Sequence, residues 1–456
     1  MVDAAAVERF AARERERFLA TQALSAELAS ATRRHWLDGV PMHWMADWGT
    51  PHPLFVAAAE AATLTLADGQ VLDDFCLGDT GAMYGHSPPA IAAAIAAQAA
   101  QGLTCMLSST LAAEVGERLA ALFGLPYWQL AQTASEANRS ALRWARAITG
   151  RRRTLVFHGC YHGTVDETLV RLRDGRTVAR EGGVGTPFDN AAHTVAVEFN
   201  DPAALERALA AGDVAAVLAE PTMTNVGMVL PQPGFLETLR AATRRHGTLL
   251  VIDETHTLSA GCGGQARGAG LAPDLLTCGK AIAGGLPCAV WGFTAEVERA
   301  MRAFRSRHAG GHSGMGTTLA GNPLALAALR AALAHLVTPA NHARMDALAA
   351  RLAAGLAATF AARHLPWQVT RVGARVEFAF GPAPRNGSEA EAAMQPALEA
   401  ALHLGLLNRG VLVTPFHNMM LCSPVTTEAQ VDRLIAALGA CLDSIAGIDV
   451  SGGAAS

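Results

Sequence analysis

Residues 247–254 read GTLLVIDE, an unbroken apolar run that ends on two carboxylates, Asp253 and Glu254. Such a run lacks the polar alternation of a half-exposed strand and suits a strand buried on both faces. Runs of the same kind recur at 153–159 (RTLVFHG), 193–200 (HTVAVEFN), 214–221 (VAAVLAEP), 273–279 (PDLLTCG) and 288–293 (CAVWGF). Helical patterns alternate with them, as at 89–102 (PAIAAAIAAQAAQG), 111–124 (LAAEVGERLAALFG) and 135–150 (SEANRSALRWARAITG). The alternation predicts an α/β domain with a mostly parallel sheet, whose functional groups gather at the carboxyl ends of the strands.

Outward from this block the pattern changes. Helical segments open the chain to about residue 36, followed by a Trp-containing loop and short strands in ATLTLADGQVLDDF, where ADGQ supplies the turn. After GNPLALAALRAALAHL a long helix is expected to run on into MDALAARLAAGLAATFAARH, followed by further strands and helices. The expected division is an amino-terminal segment 1–89, a large domain 90–330 and a smaller α+β domain 331–456, with the tail SGGAAS disordered.

Composition narrows the function. Hydrophobic residues make up 51%, charged residues 17% and aromatics 5%, so close-set helices rather than aromatic clusters are expected to dominate packing. A net charge of −4 without a basic stripe argues against nucleic acid and anionic membranes as partners. The eight cysteines show neither a CxxC pair nor zinc spacing, so no metal site is expected and they read as reduced thiols. With an amino terminus that resembles neither signal peptide nor anchor, a cytoplasmic location is the expectation.

Of the 36 lysines and arginines, one is lysine: Lys280, in LLTCGKAIAGGLPC. A guanidinium serves most cationic roles, but only a primary amine can shed its proton in a dry pocket and attack a carbonyl. Asp253, at a strand end, has the chemistry to hold a pyridine nitrogen protonated; a helix cap or a metal ligand is the alternative for Asp253 and Glu254. Thr133 and Ser135 stand at a helix start, where unpaired amides favour a phosphate. Tyr161, one of three tyrosines, follows a strand in GCYHG and offers a ring to stack on a flat cofactor.

The motifs TASEANRSALRWARAITGR (133–151), GCYHG (159–163), EPTMTNVG (220–227), LLVIDE (249–254), PDLLTCGKAIAGGLP (273–287) and TTLAGNPLALAA (317–328) occur in the order found in one family. The sequence resembles the class III, fold-type I aminotransferases that use pyridoxal 5'-phosphate, in the branch around glutamate-1-semialdehyde aminomutase and β-amino-acid transaminases. The resemblance implies that Lys280 forms the Schiff base with the cofactor and Asp253 partners its ring nitrogen. It puts Thr133, Ala134 and Ser135 at the phosphate, Tyr161 on the ring, Asn225 near the phenolic oxygen and Glu220 beside the site. It also implies a homodimer with shared active sites, in which Thr318 reaches the neighbouring subunit's phosphate. Ala134 departs from the glycine usual there, so a tightened or shifted turn is expected.

For substrate, the resemblance places Met45 where an arginine often grips a carboxylate, and Phe416 and His417 where a second arginine stands. A pocket of Trp44, Trp48, Phe416 and Met419 would favour an apolar or bulky amine, and Asp79 would receive a cationic or hydroxyl group. Core packing for the aromatics and a turn for Asp79 are the alternative. The expected activity is a ping-pong aminotransferase moving an amino group from an amine or ω- or β-amino acid to a keto acceptor. An aminomutase or epimerase using the same residues is the alternative, and a catalytically silent binding protein a remote one. Lys280→Arg preserves charge and is expected to abolish turnover in a steady-state assay; retained activity would remove the lysine from the mechanism.

Overall fold

In the computed structural model, which describes residues 3–308 and 312–446, the chain forms two units. The tail SGGAAS lies outside the described residues. Among the described residues, one unit comprises residues 89–308, 312–343 and 384–392, the other residues 3–88, 344–383 and 393–446.

The larger unit is built on a seven-stranded sheet of β1 (Tyr127–Ala131), β2 (Arg153–Phe157), β3 (Thr194–Val197), β4 (Val214–Ala219), β5 (Leu249–Asp253), β6 (Leu275–Cys278) and β7 (Ala289–Phe293). Their spatial order is β1-β7-β6-β5-β4-β2-β3. Neighbours pair in parallel except β7, which runs antiparallel to both β6 and β1. The five apolar runs within 153–279 that become β2 to β6, and CAVWGF as β7, follow the sequence pattern. The edge strand β1 was not expected, because YWQLA carries aromatic and polar residues in place of a continuous apolar run.

Alternation along β5 shows why its sequence has no polar residue before Asp253. Val251 enters a core with Ala137, Ala141 and Leu142, whereas Leu250 and Ile252 enter the opposite core with Leu236 and Leu239. Each such side chain contributes roughly 1.5–3 kcal/mol on burial. The first face is covered by α1 (Ala134–Thr149), whose N-cap Thr133 accepts from the Glu136 amide at 3.2 Å while Glu136 accepts from the Gln132 amide at 2.9 Å. It ends at Gly150, φ 70°.

The expected single long helix is two. One spans Pro323–His335 and the next Pro339–Ala362, because Pro339 cannot continue a preceding turn. The first packs on helices Pro89–Ala99 and Ala112–Phe123, so the large unit extends to residue 343, past the expected boundary at 330. The second is long and apolar enough to cross a membrane, yet Met345, Leu348, Leu352, Leu356 and Phe360 recur every three to four residues and are buried, the stripe of a core helix.

The smaller unit holds a four-stranded sheet, Val56–Glu60, Thr63–Leu66, Val71–Asp74 and Val411–Leu412, and a three-stranded antiparallel one, Gln368–Val372, Arg375–Ala379 and Met419–Leu421. ADGQ makes the expected turn, with Gly69 at φ 83°. Phe10 of the first helix lies in the same core as Leu402, Leu406 and Val431. This core holds an aromatic cluster where close-set helices were expected to dominate. Trp367 stacks on Phe378 at 5.8 Å, with Phe360 and Phe380 at their edges; Phe378 is on the strand Arg375–Ala379, Trp367 and Phe380 flank the strands, and Phe360 comes from the helix Pro339–Ala362. Phe378→Ala is expected to cost about 3–5 kcal/mol in denaturant unfolding. A loss under about 1 kcal/mol would show that the cluster is not the unit's anchor.

Candidate active site

The carboxyl ends of β2, β4, β5 and β6, with the turn from β1 into α1, share one edge of the sheet. Onto it come Tyr161, Glu220, Asp253, Lys280 and the Thr133–Ser135 turn. Asp253 is registered opposite Thr277, three residues before Lys280.

Asp253 is 4% exposed. Its Oδ2 accepts from Asn138 Nδ2 at 2.8 Å and from His162 Nδ1 at 3.0 Å, and its Oδ1 accepts from the Thr255 amide at 3.0 Å. Burial alone would push this carboxyl up, but His162, Thr255 and Asn138 together hold it well below the usual carboxylate range. His162 shows the converse. Burial opposes its charge, Cys160 and Asp253 more than offset this, and it is pushed up to about 10. A buried, ionised carboxylate results. Glu254 behaves differently, since its oxygens accept from Thr257 Oγ1 and the Gln265 and Ala266 amides, capping the turn at Gly264–Gly268, and burial pushes it up to about 7. Cap chemistry thus belongs to Glu254 and not to Asp253.

Lys280 is half-buried and left-handed at φ 49°, an uncommon conformation for a residue with a Cβ. A Cβ on the preceding Gly279 would come within 2.9 Å of the Ala134 Cβ and 3.1 Å of its amide, so the lysine turn lies directly on the start of α1. Lys280 Nζ stands 2.5 Å from His256 Nε2.

At the phosphate turn the expected distortion is absent. Thr133 is extended and Ala134 is the first helical residue, so no left-handed glycine is required there. The amides of Ala134 and Ser135 are among those an α-helix leaves without carbonyl partners. Ser135 Oγ accepts from the Thr164 amide at 3.0 Å, and a Cβ on Gly163 would fall 1.9 Å from that oxygen, so the cradle demands glycine. These features fit a phosphate at a helix N-terminus and, with the ionised Asp253, a protonated pyridine ring.

The remaining expected residues fall as follows. Tyr161 is half-buried with the Arg180 guanidinium 5.6 Å from its ring centre, and its carbonyl accepts from Asn225 Nδ2 at 3.4 Å. Asn225 also donates to Glu220 Oε1 at 3.1 Å. Thr318 is exposed on the loop before Pro323, where its neighbour Thr317 comes within 3.5 Å of Gln132 Oε1. In the smaller unit, Trp44 meets Phe416 edge-on at 5.3 Å, and Met45 is exposed on the same turn. His417 Nδ1 pairs with Glu377 at 2.7 Å, and Asp79 is left-handed at φ 48°. Trp48 packs against the Phe18–Leu66 core and Met419 is fully buried, so these two follow the packing alternative.

Sequence reading missed Asn138, His162, Thr224 and His256. Asn138 was a polar residue on the apolar face of a helix, and His256 lies three residues past Asp253; both were detectable as polar residues next to buried strand ends. The His162 contribution to stability is complete below its usual value near pH 6.5 and fades as pH rises through about 10. His162→Gln is therefore expected to lower the thermal midpoint more at about pH 6 than at about pH 10. Equal losses at both would reject the charged pair.

Comparison with known proteins converges on one family. The class-III aminotransferase model matches residues 44–442. A glutamate-1-semialdehyde 2,1-aminomutase of Sorangium cellulosum is 36% identical over 395 residues, covering 84% of this chain and 88% of that protein. The crystal structure of a glutamate-1-semialdehyde-aminomutase from Pseudomonas aeruginosa superposes with a TM-score of 0.95 at 49% identity, covering 97% of this chain and 99% of that one. A lysine-to-alanine variant of that protein was solved with PMP. An omega-transaminase from Sphaerobacter thermophilus gives a TM-score of 0.85 at 29% identity, over 93% and 98% of the two chains. The chain belongs to the class-III aminotransferase family, with the fold-type I architecture and pyridoxal 5'-phosphate as its cofactor.

Proposed function

We propose that the protein is an aminomutase, which moves an amino group between adjacent carbons of one amino-carbonyl molecule. The observation that carries this reading is the likeness to glutamate-1-semialdehyde 2,1-aminomutases over 84% of the chain, and at 49% identity over 97% in a solved structure. It replaces the ping-pong exchange between an amine donor and a keto acceptor as the leading account. Nitrogen and oxygen exchange places, so the reaction is an isomerisation that consumes no second substrate.

When bound, pyridoxal 5'-phosphate supplies an aldehyde that condenses with amines and a ring that accepts electron density. In this reading the amides of Ala134 and Ser135 hold the phosphate, with Thr318 of one copy serving the other copy's site in a homodimer. Asp253 holds the ring nitrogen protonated, Tyr161 covers the ring, and Asn225 and Glu220 lie beside it. Lys280 Nζ, once free, takes the proton from one substrate carbon and returns it to the next.

A transaminase is the second reading, favoured by the 29% likeness to an omega-transaminase and by Met45 at the loop position expected for an arginine. Holoenzyme given a single amino-aldehyde, with no keto acid present, is expected to form the isomer over many turnovers. Product that stops near one equivalent per site, and resumes on adding a keto acid, would establish the transaminase instead.

A further inference from the structure

Beyond the lysine amine lies a continuous file of polar atoms through the large unit. Lys280 Nζ is 2.5 Å from His256 Nε2, His256 Nδ1 is 2.6 Å from Thr224 Oγ1, and Thr224 Oγ1 is 2.5 Å from Glu220 Oε2. His256, Thr224 and Glu220 are 7%, 1% and 5% exposed. Direct contact between the ends of the relay is longer, with His256 Nδ1 3.7 Å from Glu220 Oε2, so the threonine hydroxyl is the bridge.

The chemistry of each group fixes the direction of the hydrogen bonds. A threonine hydroxyl carries one hydrogen. With Glu220 ionised, Thr224 donates to it and accepts from His256 Nδ1–H, leaving the Nε2 lone pair toward the lysine. With Glu220 protonated, the carboxyl donates to Thr224, Thr224 donates to Nδ1, and Nε2–H faces a neutral amine. Both arrangements satisfy the same three contacts.

We propose that His256 and Thr224 form a proton wire through which Glu220 takes and returns the proton that Lys280 must give up to become a nucleophile. The step balances: Nζ–H breaks as Nε2–H forms, Nδ1–H breaks as a new Thr224 O–H forms, and the original Thr224 O–H breaks as Glu220 O–H forms. A half-buried ammonium and a buried carboxylate become a neutral amine and acid, which a low-dielectric interior favours. Desolvation raises Glu220 in that direction, His162 and the hydrogen bonds from Thr224 lower it, and Asp253 raises it. Glu254, bonded to Thr257 on the same turn as His256, and the buried thiol Cys278 are the other titratable groups packed around the relay. His256 and Thr224 are positioning residues, since neither needs to touch substrate. The wire rests on Lys280 as the reacting amine but not on the choice between aminomutase and transaminase.

The single lysine makes the test direct. Full-length chain freed of cofactor is pulsed with acetic anhydride from about pH 6 to 9, and acetylation of Lys280 is counted by peptide mass spectrometry, with the α-amino group as reference. An isolated lysine amine, with its ordinary value near 10.4, would lose reactivity by about tenfold per pH unit on acidification. With Glu220 as an internal acceptor, wild type instead gives a shallower profile, because amine and carboxylate hold one proton in common. Glu220→Gln removes the acceptor and is expected to restore the steep dependence and slow acetylation at least tenfold at about pH 7. Thr224→Ser keeps the bridging hydroxyl and is expected to behave as wild type, with circular dichroism confirming that each variant is folded. A steep wild-type profile overturns the proposal without any variant. So does Glu220→Gln labelled with the wild-type rate and slope.

Discussion

An ionised carboxylate out of reach of water costs several kcal/mol unless its surroundings replace the lost hydration. At Asp253 the replacement comes from three directions: an amide two residues on, an asparagine on α1 and a charged histidine after β2. These donors lie on separate elements, so the carboxylate is satisfied only when sheet, helix and strand-end loop have assembled. The same assembly brings Lys280, Glu220 and the Thr133–Ser135 turn to one edge of the sheet. Fold and site therefore share one electrostatic requirement.

A second constraint is steric. Gly279 and Gly163 let the lysine turn and the loop after β2 approach the first turn of α1 more closely than a side chain permits. The outcome is a helix start enclosed by closely approaching backbone, at which Ala134 is the first helical residue and needs no left-handed φ. The conformational freedom sits at Gly279 and Gly163, across from the helix, rather than within it.

Much of this was legible in the sequence, and what was not has physical reasons. Runs such as 249–252 announced buried strands because both faces demand apolar residues, while β1, at the sheet edge, tolerates Tyr127 and Gln129 and gave no such signal. The solitary lysine, the Asp253 strand end and the Ser135 turn were visible as local chemistry. The partners of those residues were not: Asn138 is 115 residues from Asp253 and Thr224 is 32 from His256, and spacing along a chain does not reveal pairings made by tertiary packing. The two-helix break at Pro339 was local but lost against a strong alanine background. Trp48, expected at a pocket, is half-buried against the Phe18–Leu66 core.

The arginine-only coating of the chain has a bearing on durability. Aldehydes condense readily with primary amines, so a protein that handles reactive carbonyl compounds is ordinarily scarred by adducts on its lysines. Here the 35 other cationic side chains are guanidinium groups, and one side-chain amine is left for such a compound to meet. Among the side chains, Schiff-base adducts can therefore form at one position.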